Sequence, residues 1–274
     1  MNVLRTAFAA LCALLLAGPV SAQSGPSAEA MARVMQLETA AEVMRAEGLA
    51  LGDELAADML GGRGGAIWDR RISALYDAGR LVEVVSGELA DGLDAGAAQA
   101  VRDFFTAPLG RRILTLENDA RRAMIDDDIE ALARQSYLDL RGSDDPRLAQ
   151  VARFIEVNDL VERNVAGALS SDYRFTRGMV EGGAMAMSEG EILDRVWASE
   201  GEIREDTREW LFGFLLMAYR PLSDAEMETY IDFSATEAGQ ALNAALFEGF
   251  EAFYANVSHG LGLSLAQAMQ GSDL

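Results

Sequence analysis

The chain has 274 residues, half of them hydrophobic, and sets 44 acids against 23 arginines with no lysine, for a formal net charge of −21. A balance this acidic argues against nucleic acid and anionic lipid surfaces as partners. One cysteine, Cys12, and one histidine, His259, leave no disulfide and no multi-histidine metal centre within a chain, and no catalytic, cofactor-binding or metal-ligating set can be assigned.

The N-terminus reads as an export signal. Arg5 precedes an apolar run from Ala7 to Ala17, Gly18-Pro19 breaks it, and Val20-Ser21-Ala22 offers small residues to a signal peptidase. Cleavage after Ala22 is expected, which makes residues 1–22 a signal peptide, removes Cys12 and leaves a net charge of −22. The run is short of the ~20 residues a membrane-spanning helix requires, so no transmembrane segment is expected after cleavage. The predicted location is outside the cytoplasm: periplasmic in a Gram-negative cell, otherwise secreted.

Beyond the signal the apolar residues recur at helical spacing and no segment alternates with the period of a strand. Leu37, Ala40, Ala41, Val43 and Met44 form one stripe, Val151, Phe154, Ile155, Val161 and Val165 a second, and Leu242, Leu246, Phe250, Phe253, Tyr254 and Val257 a third. Gly61 to Gly65 lacks the Lys-Ser or Lys-Thr of a phosphate loop and reads as a turn between helices. Pro108 marks a break after Phe104-Phe105. Asp126-Asp127-Asp128 with Glu130 lacks the alternate ligands of a calcium loop and reads as a helix end or solvated face. Arg141-Gly142-Ser143-Asp144-Asp145-Pro146 is turn-rich, and Pro146 suits the first position of a new helix.

In the second half Ser188/Glu191, Ser199/Glu202 and Ser223/Glu226 each fit a capping box, so three helix starts are expected there. Trp210 to Tyr219 is apolar all round, the pattern of a central helix or of an apolar seam that binds something. Pro221 ends that helix. His259, in Ser258-His259-Gly260, is expected near a helix end.

An internal repeat organises these elements. Asp103-Phe104, then four residues after Phe105, then Gly110 answers to Asp232-Phe233 and Gly239; Ile67 to Arg70 resembles Ile192 to Arg195; the stripe from Leu37 to Met44 resembles that from Phe154 to Val161. The Asp-Phe…Gly pattern describes a phenylalanine docked inward, a tight corner and a glycine where the next helix passes close to its neighbour's backbone. The segments Phe104 to Ile113, and Leu222 to Glu226 running on to Phe233 and Gly239, resemble the exported bacterial domain-of-unknown-function family numbered twenty fifty-nine. The second copy has Thr236-Glu237 where that family commonly shows a proline. The resemblance implies an all-helical periplasmic protein and brings no activity, ligand or catalytic residue with it.

The expected fold is therefore all-α, with eight to ten helices in two diverged bundles, residues 23–141 and 142–274, stacked on one another. The second unit is the more acidic, with 23 acids against 9 arginines, where the first has 21 against 13. A candidate polar cleft would involve Asp194, Arg195 and Asp206. The leading functional expectation is a binding or interaction module of the cell envelope without chemistry, possible partners being envelope proteins. The rivals are a hydrolase that pairs two carboxyls and a carrier of a small apolar ligand. The carrier requires a cavity of at least ~300 Å³ beside the Trp210–Tyr219 helix.

Overall fold

The computed structural model describes residues 27–62 and 64–271, so the signal-peptide reading, Cys12 included, lies outside the described residues. Thirteen α-helices occur among the described residues, and no strand. The first half contains α1 (Ala28–Val34), α2 (Leu37–Leu60), α3 (Gly65–Leu75), α4 (Ala78–Gly92), α5 (Ala95–Thr106), α6 (Pro108–Ala123) and α7 (Asp127–Leu140). The second contains α8 (Pro146–Val157), α9 (Leu160–Glu181), α10 (Glu189–Ala198), α11 (Glu200–Tyr219), α12 (Asp224–Ser234) and α13 (Glu237–Met269). The all-α class agrees with the sequence pattern, while the count exceeds the expected eight to ten. Two breaks account for much of the excess. The helix that leads into the Leu37 stripe is cut at Gln36, and the one through Val151 to Val165 at Asp159; among the described residues these are the two non-glycines with positive φ, at 51° and 52°.

Those paired breaks reveal the internal order: helices α1 to α6 and α8 to α13 follow the same succession, with α7 as the connector. The corners match in detail. Ala107 and Thr236 both adopt extended backbone, and each amide donates to the carbonyl of the phenylalanine three residues earlier. A Cβ added at Gly110 would collide with the Phe104 carbonyl oxygen and lie 2.6 Å from the Phe105 Cα; one at Gly239 would collide with the Phe233 carbonyl oxygen and lie 2.8 Å from the Ser234 Cα. Phe104 and Phe233 stack on each other, ring centroids 4.1 Å apart at 14°. Asp103 and Asp232 are exposed on the outer faces of their helices.

Two of the sequence pairings shift in register. Trp68 and Ile72 are the buried residues of α3 and Ile192 and Val196 those of α10, whereas Ile67 and Leu193 are exposed. Burial therefore matches Trp68 with Ile192, one residue away from the match of identical residues. Likewise Leu37 and Leu160 each follow a left-handed residue and open equivalent helices, so the stripe after Leu37 corresponds to the one after Leu160, and not to the one beginning at Phe154.

The two halves do not close over separate cores. One contiguous apolar cluster runs from Met31 to Ala266 through both. Helix α13, with 33 residues, reaches about 50 Å and packs on α9 of its own half and on α4 and α5 of the other, while α11 packs on α7 and α6. Helices α9 and α13 meet backbone to backbone: added Cβ atoms at Gly178 and Gly262 would strike the carbonyls of His259 and Phe175. His259 thus sits inside α13, away from any helix end, and its Nε2 lies 2.8 Å from Glu181 Oε2 at the end of α9. Of the three capping boxes, Ser188/Glu191 and Ser223/Glu226 form; Ser199 has helical φ/ψ and turns its hydroxyl back to the Arg195 carbonyl. Asp126 caps α7, accepting from the amides of Asp128 and Ile129.

Candidate functional site

The tight contact between α9 and α13 is confined to one end. At Gly167, two turns or more before the crossing, nothing lies within 4 Å of an added Cβ, and from there the helices border a cavity of about 740 Å³. Both halves line it, the second through α8, α9, α11, α12 and α13 and the first through α2, α5 and α6. Five residues of the apolar segment, Trp210, Leu211, Phe214, Leu215 and Tyr219, face it. Exposed Ala166 and Glu251 are among its lining, so it reaches the surface between α9 and α13.

Helix α6 supplies the polar strip. Its buried face follows Gly110, Ile113, Leu114, Asn118 and Ala120, and on this spacing Glu117, Asn118 and Arg121 enter the cavity wall. Tyr219 from α11 and Tyr230 from α12 both donate to Glu117 Oε1, at 2.6 and 3.2 Å. No described residue donates to Oε2, and no cation pairs with the group. Burial pushes the Glu117 carboxyl above the usual carboxylate range, against the pull of the two tyrosine hydrogen bonds. The hydroxyls of Tyr219 and Tyr230 are pushed well above theirs, by burial first and then by the carboxylate beside them.

Rings pack around the two tyrosines that hold this carboxyl. Phe154 lies 5.5 Å from Tyr219 and 4.8 Å from Tyr230, centroid to centroid, and Phe105 meets Tyr230 edge-on at 6.3 Å. Next along α6, Asn118 is 9% exposed and makes no side-chain hydrogen bond to any described residue. Arg121 is already committed: Nε and one terminal nitrogen donate to the two oxygens of Glu47 at 2.7 and 3.0 Å. Arg163 from α9 lies 5.4 Å from the Phe247 ring centroid, and its buried Nε has no acceptor. Glu117 and Glu251 are the carboxyls of the wall, and Glu251 stands exposed at the mouth while Glu117 is half-buried.

The cleft proposed from sequence is not where the polar groups converge. Asp194 and Arg195 are exposed on α10, where Arg195 donates to Thr176 and approaches Asp172 at 3.4 Å. Asp206 is exposed on α11 and pairs with Arg134 at 3.0 Å. These contacts staple separate helix pairs, α10 to α9 and α11 to α7. Among the repeat residues, Phe233 and Gly239 border the cavity, while Asp103, Phe104, Gly110 and Asp232 do not. The described residues contain no cluster of three or more potential metal-ligating side chains, and no described helix is long and apolar enough to cross a membrane.

Sequence reasoning passed over Glu117, although a signal existed. Glutamate and arginine fall on the apolar face of α6 at positions one turn apart, and the repeat supplies a comparison. Asp94 and Ser223 cap equivalent helices, Phe104 matches Phe233 and Gly110 matches Gly239, all at one constant offset in the numbering. At that offset Glu117, Asn118 and Arg121 correspond to Leu246, Phe247 and Phe250, and Tyr219 and Tyr230 correspond to Ala90 and Val101. The polar group thus occurs in one register of the repeat and is replaced by apolar residues in the other. No known family profile, curated protein or solved structure matches the chain.

Proposed function

We propose that the protein is an exported binding protein that holds a small, largely apolar molecule in the cavity between its two halves. The observation that carries this reading is the cavity beside the Trp210–Tyr219 helix, whose ~740 Å³ falls within the ~300–1,000 Å³ typical of small-molecule sites. Its composition follows the same pattern: a mainly aromatic and aliphatic wall with a few placed polar groups. Filling the space with side chains would gain packing energy, since an empty cavity forfeits contacts on all its surfaces. Its retention beside a buried carboxyl that burial itself penalises favours a binding role over a purely structural one.

Export rests on the leader-like residues 1–22, and the resemblance of the corner motifs to the exported family named above is consistent with it. The hydrolase reading needs two carboxyls facing each other across the site, and a Glu117 held by two tyrosines with an exposed Glu251 does not favour it.

The test is a titration with the apolar fluorophore N-phenyl-1-naphthylamine, using the wild type and a Leu246→Trp variant that places an indole in the space. Saturable single-site enhancement in the wild type, reduced about tenfold or more by the filled cavity, is the expected outcome. Equal binding by both proteins, or none by the wild type, would refute the reading.

A further inference from the structure

The polar end of the cavity has a definite chemical preference, and the following rests on the ligand-binding reading above. Glu117 presents one carboxylate oxygen to two tyrosine hydroxyls and leaves the other without a donor. Asn118, nine-tenths buried on the same wall, has an amide with no protein partner. An acceptor and an amide that open onto the cavity without a protein partner are available to a ligand that can complete them. The rings of Phe105, Phe154, Tyr219 and Tyr230 line the same space, and a positive charge is compatible with an aromatic wall.

We propose that the cavity takes an organic cation, an ammonium group on an apolar body, with the ammonium donating to Glu117 Oε2 and to the Asn118 carbonyl oxygen. The apolar body extends along Leu215, Leu242 and Leu246 toward the mouth.

The charges of the wall support this sign. Arg121 is neutralised by Glu47, which lies behind the wall, leaving Glu117 and Glu251 against Arg163. Arg163 holds its guanidinium over Phe247, and its buried Nε has no acceptor, a feature that would suit an anion. It lies on α9, opposite the α6 wall, and so leaves the Glu117 end acidic. At longer range the net charge of −21 concentrates cations at the entrance and repels anions.

The competing head groups are separated by calorimetric titration of the whole protein with decylamine, decanol and decanoate at neutral pH, below their aggregation limits. Decylamine should bind about tenfold or more tighter than decanol, the scale of a charge-assisted hydrogen bond, with decanoate weakest. Glu117→Gln should bring the amine-to-alcohol ratio toward one, with folding checked by far-UV circular dichroism. Should that variant not fold, Asn118→Ala must lower the same ratio. Equal affinities for decylamine and decanol, a preference for decanoate, or a ratio unmoved in a folded variant overturns the cation assignment and leaves the apolar cavity reading in place. Binding of none of the three overturns both.

Discussion

Replacing Gly110 or Gly239 with alanine perturbs the corner of each half in the same way. In each case the added methyl collides with the carbonyl oxygen of the preceding phenylalanine and lies 2.6 or 2.8 Å from the next Cα. Those atoms belong to the backbone and cannot rotate aside, so the two helices must separate. Overpacking of this kind costs about 1–3 kcal/mol, and the gain from replacing glycine in a helix returns at most ~1 kcal/mol. The net loss should be about 1–2 kcal/mol in each variant, or roughly 2–8 °C in melting temperature for a domain of this size. Gly87, in the middle of α4 with nothing within 4 Å of an added Cβ, supplies the control: Gly87→Ala should raise the melting temperature by up to ~4 °C. Thermal melts followed by circular dichroism measure all three. A loss at Gly239 with none at Gly110, or a loss at Gly87 as large as at the corners, would show that the two corners are not equivalent packing devices.

The buried carboxyl sets a pH signature. Because burial raises Glu117 above its ordinary value of 4.5, the folded protein keeps that proton to higher pH than the unfolded chain does. Stability from this group therefore falls as pH rises through and beyond 4.5 until the carboxyl ionises in the fold. Glu117→Gln lacks the slope, so its melting temperature relative to the wild type should climb from acid to neutral pH; a difference that stays flat refutes the assignment. Surface carboxylates such as Glu162 and Glu228, lowered by hydrogen bonds from Arg204 and Arg153, impose an opposite slope at acid pH on both proteins and cancel in the comparison. The caps offer a second contrast: Ser223→Ala should cost about 1 kcal/mol, whereas Ser199→Ala, whose hydroxyl caps nothing, should change stability by less than about half of that; equal losses in denaturant melts would contradict the geometry.

The elements were legible where local chemistry decides them. Pro108 and Pro146 open helices, Ser188 and Ser223 form their boxes, and Asp126 turns its carboxylate to a helix end. Ser199 has the same serine and glutamate spacing, but the chain there stays helical from α10 into α11, and a serine with helical backbone back-bonds to the previous turn. The breaks at Gln36 and Asp159 carry no proline or glycine, so the sequence pattern runs straight through them. What periodicity could not supply was which apolar faces meet. Each half reads as a bundle with its own inside, yet α13 and α11 divide their apolar surface between their own half and the opposite one, and that division creates both the shared core and the cavity. Asp194, Arg195 and Asp206 drew attention because charge is visible in one dimension. Glu117 is an ordinary glutamate until α11 and α12 close over it with two tyrosines.

The repeat itself gives the cavity its meaning. Two halves with matching corners and stacked Phe104 and Phe233 would, if identical, present the same residues at both ends of their interface. An apolar pairing there is evidently sufficient for folding, because the positions corresponding to Glu117, Asn118, Tyr219 and Tyr230 are filled by Leu246, Phe247, Ala90 and Val101. Enclosing a carboxyl in place of leucine costs free energy that two tyrosine hydrogen bonds only partly offset, as the raised carboxyl pKa records. A purely architectural interface would be more stable with the apolar set on both sides. The polar set and its apolar counterparts Leu246, Phe247 and Phe250 line the same open volume, so the asymmetry between the two registers falls within the cavity, which ties it to what enters there and separates it from the packing that holds the helices together.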